Sequence, residues 1–254
     1  MSGVASQKAL PSPLSATTGV IIERTGEVLS FALNNAEHGN EVTGAMFDAM
    51  LAELRAEANR PRARVLRIRA RGNVFCTGRE RAGRNAEGIR RETKRLIEVK
   101  RRLRNLPLIS VAEVQGDALG FGFGLAIVCD FVLVAEHAAL GFPEMRSGLP
   151  PSAIMAYLGE YALPRFAFPL VLFGDAITPA YALQIGLISQ ACPAERLARD
   201  ADALVERILR LDAGAARGCK EFFLAAQQNS FAANCRLATQ VLTRDSLATL
   251  KKAK

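Results

Sequence analysis

The 254-residue sequence contains only two histidines, His38 and His137, and has no H-E-x-x-H and no G-x-S-x-G motif. Zinc hydrolysis and Ser-His-acid chemistry rest on such clusters, so this inventory argues against both. The five cysteines, at 76, 129, 192, 219 and 235, never fall in C-x-x-C spacing, and two sit inside apolar runs. Reduced thiols in a cytoplasmic setting are therefore expected, rather than a disulfide frame or a zinc site. No apolar stretch reaches the roughly 18 residues of a membrane span. The opening MSGVASQKALPSPLSATT lacks a basic start followed by an apolar core, so no secretory signal is expected and residues 1–18 read as a flexible arm. The glycine-rich stretch at 116–124 fits neither G-x-G-x-x-G nor G-x-x-x-x-G-K-[ST], which removes the fingerprints of nicotinamide and phosphate-loop enzymes.

Half of the residues are hydrophobic and 23% are charged, the balance of a folded globular chain. The net charge is +8, and only seven of the 33 basic residues are lysine. Most of the excess lies in RERAGRNAEGIRRETKRLIEVKRRLR, from Arg79 to Arg104. Its spacing predicts a solvated amphipathic helix with Ile89, Leu96, Ile97 and Leu103 on the buried stripe. The alternative is a surface that attracts a polyanion, either nucleic acid or a phosphate-bearing cofactor.

VIIERTGEVLSFAL reads as a hairpin, with Leu29, Phe31 and Leu33 alternating on one face. Met46, Phe47, Met50, Leu51 and Leu54 then recur at helical intervals behind Asn40 or Thr43 as N-cap. RVLRIRA, LISVAEVQG and FVLVAE read as strands, each followed by a turn and a helical segment, and beyond Pro151 nearly everything has helical period. That alternation indicates an α/β fold with a partly parallel sheet. AERLARDADALVERILRL is the clearest helix, with Leu197, Leu204, Ile208 and Leu211 on its apolar side. A core over 19–194 and a C-terminal helical region over 195–254 are expected.

GDALGFGFGLAIVCD gives up side chains at 116, 120, 122 and 124, although glycine in an element interior costs about 0.5–1 kcal/mol relative to alanine. Two glycine-marked strand ends, FCTGRE and ALGFGFG, would each present free N–H groups at the start of a helical segment. Converging on one point, such donors form an oxyanion hole. GFPEM adds a carboxylate, Glu144, directly after a proline. Taken alone, Glu144 reads as an exposed loop acid.

In order, VFCTGRE, VAEVQGDALGFGFGLAIVCDFVLVAEHAALGFPEMRSGLPP and FGDAITPAYALQIGLISQACPAERL resemble the crotonase, or enoyl-CoA hydratase/isomerase, family from about residue 20 to 210. The resemblance implies a crotonase-like spiral of ββα units followed by a helical oligomerisation region. It also implies a homotrimer or hexamer and an acyl-CoA substrate, with no cofactor beyond the coenzyme A of the thioester, no metal and no membrane. By position, the N–H groups of Arg79, after Gly78, and of Phe121, after Gly120, become the oxyanion donors, and Glu144 the catalytic acid/base. Gly122 and Gly124 let the ligand approach the backbone. Glu80 stands where the family usually has aspartate, and Arg81 and Arg84 are candidates for the coenzyme A phosphates. Many hydratases carry a second glutamate at the position of Gly124. Its absence tilts the expectation toward double-bond isomerisation by proton removal and return. Hydration stays open through another acid such as Asp117. A catalytically weak protein of this fold, binding RNA or acyl-CoA through its basic helix, is the reading from a different class.

Overall fold

In the computed structural model, which describes residues 15–17 and 19–252, Ser15–Thr17 (β1) pairs antiparallel with Val20–Thr25 (β2). The arm expected over 1–18 otherwise lies outside the described residues. β2 turns back through Gly26-Glu27 into Val28–Leu33 (β3), the two-residue loop that best matches strand twist. Leu29, Phe31 and Leu33 point into the core, as their alternation requires. Thr43 rather than Asn40 caps Gly44–Asn59 (α1), its Oγ1 accepting the Met46 N–H at 3.3 Å. Asn40 is buried instead. Its amide donates to the Arg71 and Val74 carbonyls at 2.8 and 2.7 Å, and its Oδ1 accepts the Asn35 N–H.

Val65–Ala70 (β4) runs parallel to β3 and leads to Ala86–Arg104 (α2), which Asn85 caps through the Gly88 N–H at 2.8 Å. The buried stripe of α2 is Leu96, Val99, Lys100 and Leu103. Ile89 and Ile97, expected on that stripe, are exposed. Ile109–Val114 (β5), Ala118–Leu119 (β6) and Phe121–Ile127 (α3) follow, then Phe131–Ala135 (β7), Leu140–Gly141 (β8), a 3-10 turn over Pro143–Ser147 and Ser152–Leu158 (α4). The repeated order of two extended segments and a helix gives the α/β architecture. Pro164–Phe173 (α5), Pro179–Gln184 (α6), Gln190–Cys192 (β9), Ala194–Leu209 (α7), Ala213–Ala226 (α8) and Phe231–Lys252 (α9) complete the described chain.

The main sheet has the order β1-β2-β3-β4-β5-β7-β9 and is parallel from β3 onward, while β6 and β8 form a small parallel sheet of their own. Parallel strands share a direction, so the segments leaving β4, β5 and β7 emerge at one edge, where α/β sheets place ligands. One face of the sheet packs against α1, α2 and α3 in the larger core. On the other, Val65, Val111, Leu133 and Cys192 meet Leu197, Ala201, Val205 and Ile208 of α7. The first compact unit therefore extends to Asp212 and the second spans Ala213–Lys254, so the division falls after α7 and not at residue 195, where that helix begins. The second unit consists of α8 and α9.

Candidate active site

The segments leaving β4 and β5 meet through backbone bonds. Cys76 bridges Ala118, and the Leu119 N–H donates to the Cys76 carbonyl at 2.9 Å. Gly120, which donates to the Gly141 carbonyl at 2.8 Å, takes φ 53° and ψ −117°, a conformation only glycine adopts freely. A Cβ on Gly122 would overlap the Cys76 carbonyl, so the two turns lie in direct contact because residue 122 has no side chain. Phe121 is the first residue of α3, where an N–H has no intrahelical acceptor. Arg79 pairs with Val42 in a parallel bridge whose bonds use Gly78 and Glu80, so the Arg79 N–H is left over. Neither N–H has an acceptor among the described residues. A Cβ built on Gly78 meets nothing within 4 Å, so the space beside the Arg79 amide is open.

Glu144 comes from the segment leaving β7 and β8. Pro143 starts the 3-10 turn, and Phe142 anchors it by stacking on Phe123 at 5.1 Å between ring centroids. The carboxylate lies over Gly120: Oε1 would be 3.0 Å from a Cβ there. Oε2 is buried and has no hydrogen-bond partner among the described residues. A buried carboxylate oxygen with no partner among the described residues is uncommon in a folded chain and calls for an explanation beyond packing.

The sequence reading missed Lys100. It projects from α2 into the same site and is buried, with an Nζ that has no hydrogen-bond partner among the described residues. Nζ lies 5.1 Å from the ring centroid of Phe121 and 5.0 Å from that of Tyr157. A Cβ on Gly124 would be 2.6 Å from both Nζ and the Tyr157 hydroxyl and would strike Ile154, so the glycine makes room for all three. The Tyr157 hydroxyl donates to the Gly124 carbonyl at 3.0 Å. Burial drags the Lys100 pKa down to about 7, with Arg79 adding to the fall while Glu144 and Cys76 oppose it. Burial pushes the Cys76 thiol up to about 12, which removes it as a nucleophile. The available signal was a lysine in register with Leu96, Val99 and Leu103 on an otherwise apolar stripe.

The remaining candidates lie around this centre. The Arg79 guanidinium is 3.4 Å from Glu92 of α2. Glu80 is exposed and donates its N–H to the Val42 carbonyl. Arg81 and Arg84 are exposed on the segment before α2 and form no ion pair among the described residues. Asp117 accepts the Ala139 N–H at 2.9 Å through its carboxylate and serves the β6–β8 junction. On α2, Arg95 pairs with Asp48, Arg101 and Arg102 with Glu98, and Arg104 with Glu160. No group of three His, Cys, Asp or Glu among the described residues could hold a metal, and no helix there is long and apolar enough to cross a membrane.

Residues 23–251 match the family model described as enoyl-CoA hydratase/isomerase. The 2,3-dehydroadipyl-CoA hydratase of Escherichia coli is 28% identical over 232 residues, covering 88% of this chain and 89% of its own. A probable enoyl-CoA hydratase of Rhodobacter capsulatus is 31% identical over 211 residues, covering 79% and 80%. Among solved structures, an enoyl-CoA hydratase from Bacillus anthracis superposes with a TM-score of 0.84 at 26% identity, over 92% of this chain and 95% of that one.

Proposed function

Because the chain belongs to the enoyl-CoA hydratase/isomerase family, we propose that it binds an enoyl-CoA thioester and moves a proton at the carbon next to the carbonyl. The observation that carries this reading is the Glu144 carboxylate over Gly120, beside the unclaimed N–H of Phe121. The thioester oxygen accepts from the Arg79 and Phe121 amides, which stabilise the enolate as charge develops on that oxygen. One such donor is worth on the order of 10²–10³ in rate. Glu144 takes the proton from C2. The exposed Arg81 and Arg84 supply positive charge for the coenzyme A phosphates. Isomerisation is the form of the reaction we favour, because no second carboxylate stands at residue 124 and the Asp117 carboxylate is engaged by Ala139. The active form is a homo-oligomer, with the exposed apolar side chains of α5 as its supporting feature.

The test is to incubate the protein in D₂O with 2-enoyl and 3-enoyl thioesters and to follow label at each carbon. The parent incorporates deuterium at C2 and shifts the double bond without net hydration. Glu144→Gln lowers both by about 10²–10⁴-fold, the usual scale of general acid–base catalysis. Full turnover by Glu144→Gln would reject the assignment of the base, and a hydrated product from the parent would select hydration over isomerisation.

A further inference from the structure

Two buried polar groups without hydrogen-bond partners among the described residues face the same short helix. Glu144 Oε2 is one and Lys100 Nζ is the other, and neither bonds to its counterpart. Glu144 lies over Gly120 and Lys100 over Gly124. The bond from the Gly124 N–H to the Gly120 carbonyl at 3.0 Å sets these positions one turn apart along the helix, about 6 Å of rise. A dry ammonium is costly to keep, and the two aromatic faces beside it offset only part of that cost. A chain needing only packing there would have used methionine or leucine, which fill the same length without a charge.

We propose that Lys100 is the second catalytic residue of this site, the proton donor of a Glu–Lys pair whose ammonium takes the place of the missing acid at residue 124. The proposal rests on the enoyl thioester reading above and specifies how the second half of that reaction occurs. Starting from a 3-enoyl thioester, Glu144 accepts the C2 proton and the C–H electron pair enters the thioester carbonyl. The Lys100 ammonium then gives its proton to C4. The enolate pair returns from oxygen to re-form the carbonyl, the C3–C4 π pair takes up the proton, and the double bond comes to lie between C2 and C3. The residues left are a carboxylic acid and a neutral amine. Transfer of the proton from Glu144 to Lys100 through solvent restores the starting pair, so no other reactant is consumed.

The titratable and charged groups facing Lys100 are Glu144, Cys76, Arg79 and Tyr157. Burial raises the Tyr157 hydroxyl well above its usual range and the Cys76 thiol to about 12, so both stay neutral where Lys100 titrates. Donation needs the ammonium, so isomerisation falls as pH rises through about 7, the value to which burial brings Lys100.

The experiment compares the parent with Lys100→Met and Lys100→Ala, reading C2 deuterium exchange and double-bond migration separately across pH. Lys100→Met is expected to lose migration by about 10²-fold or more while keeping C2 exchange, which depends on Glu144. It should unfold at a temperature no lower than the parent, since it exchanges an unpaired buried cation for an apolar chain. Added ethylamine should restore migration to Lys100→Ala, a rescue that a purely structural role would not give. Migration by Lys100→Met at the parental rate would overturn the proposal. So would parallel loss of exchange and migration in a folded variant. Absence of C2 exchange in the parent would instead remove the underlying enoyl thioester reading.

Discussion

Glu57 sits in the last turn of α1 with its side chain fully buried. Burial pushes its pKa upward, but the N–H groups of Ala63 and Arg62, at 3.0 and 2.8 Å, and the Arg24 guanidinium at 2.6 Å outweigh that and leave it lowered. A carboxyl whose folded pKa lies below its unfolded value contributes stability above the ordinary carboxylate range and loses it as pH falls through the folded value. Glu57→Gln, which leaves the half-buried Arg24 with Glu53 at 3.9 Å as its remaining anionic partner, is therefore expected to cost about 2 kcal/mol at neutral pH. The gap between variant and parent should close in acid, as pH falls below the ordinary carboxylate range and the parent carboxyl also protonates. Urea unfolding at neutral and acid pH checks this, and a gap unchanged by acid would dismiss the ion pair as its source. In sequence Glu57 looks like any helix acid, because Arg24 is 33 residues away. Asn40 and Lys100 were opaque for the same reason: their surroundings come from segments that only the fold assembles. Glu144 and the glycines at 78 and 120 were legible as candidates because each lies in a contiguous stretch that resembles the enoyl-CoA hydratase/isomerase family, whereas Glu144 taken alone reads as a loop acid.

Helix α3 has seven residues, all buried, and no side chain caps its start. Its exposed donor is created by the backbone at Gly120, so the conformation of that residue sets the aim of the Phe121 N–H. In Gly120→Ala, the required φ of 53° and ψ of −117° costs on the order of 1–3 kcal/mol, and the new methyl presses on Glu144 Oε1. Turnover is expected to fall by about 10²-fold, the scale of one lost oxyanion donor. Gly159→Ala is the control: Gly159 has φ −66° and no atom within 4 Å of an added Cβ, so activity and melting temperature should hold. Equal activity in the two variants would detach Gly120 from catalysis. Helix α2 makes the complementary point about legibility. Its amphipathic character was plain, yet its buried arc was set by what it packs on. Ile97 lies about 100° around the helix from Leu96 and is exposed. Ile89 shares Leu96's side of the helix but lies two turns nearer the N terminus, and it is exposed as well. The arc that remains holds Lys100 against Phe121.

At the scale of the whole molecule, the alternation of strand and helix was readable because parallel sheets impose it on the sequence. The division at 212 was not, since the apolar side of α7 reveals that something covers it without saying that the sheet does. The same ambiguity applies to α5, where Phe168 and Phe173 are 59% and 63% exposed and Phe166 and Leu172 about 40%. Three phenylalanines facing water within ten residues are far from the scattered exposure of a monomer surface. A second copy of the chain is the partner consistent with the oligomer we propose. In sedimentation, the protein is expected to have three times the mass of the 27.4 kDa chain, or six times it if trimers pair. Placing charge on both exposed rings, Phe168→Glu with Phe173→Glu, should shift that mass toward a single chain. The far-UV spectrum should be unchanged, because neither side chain belongs to the core. A parent that sediments as a single chain at micromolar concentration would refute the oligomer. A doubly substituted variant that keeps the parental mass would move the interface away from α5.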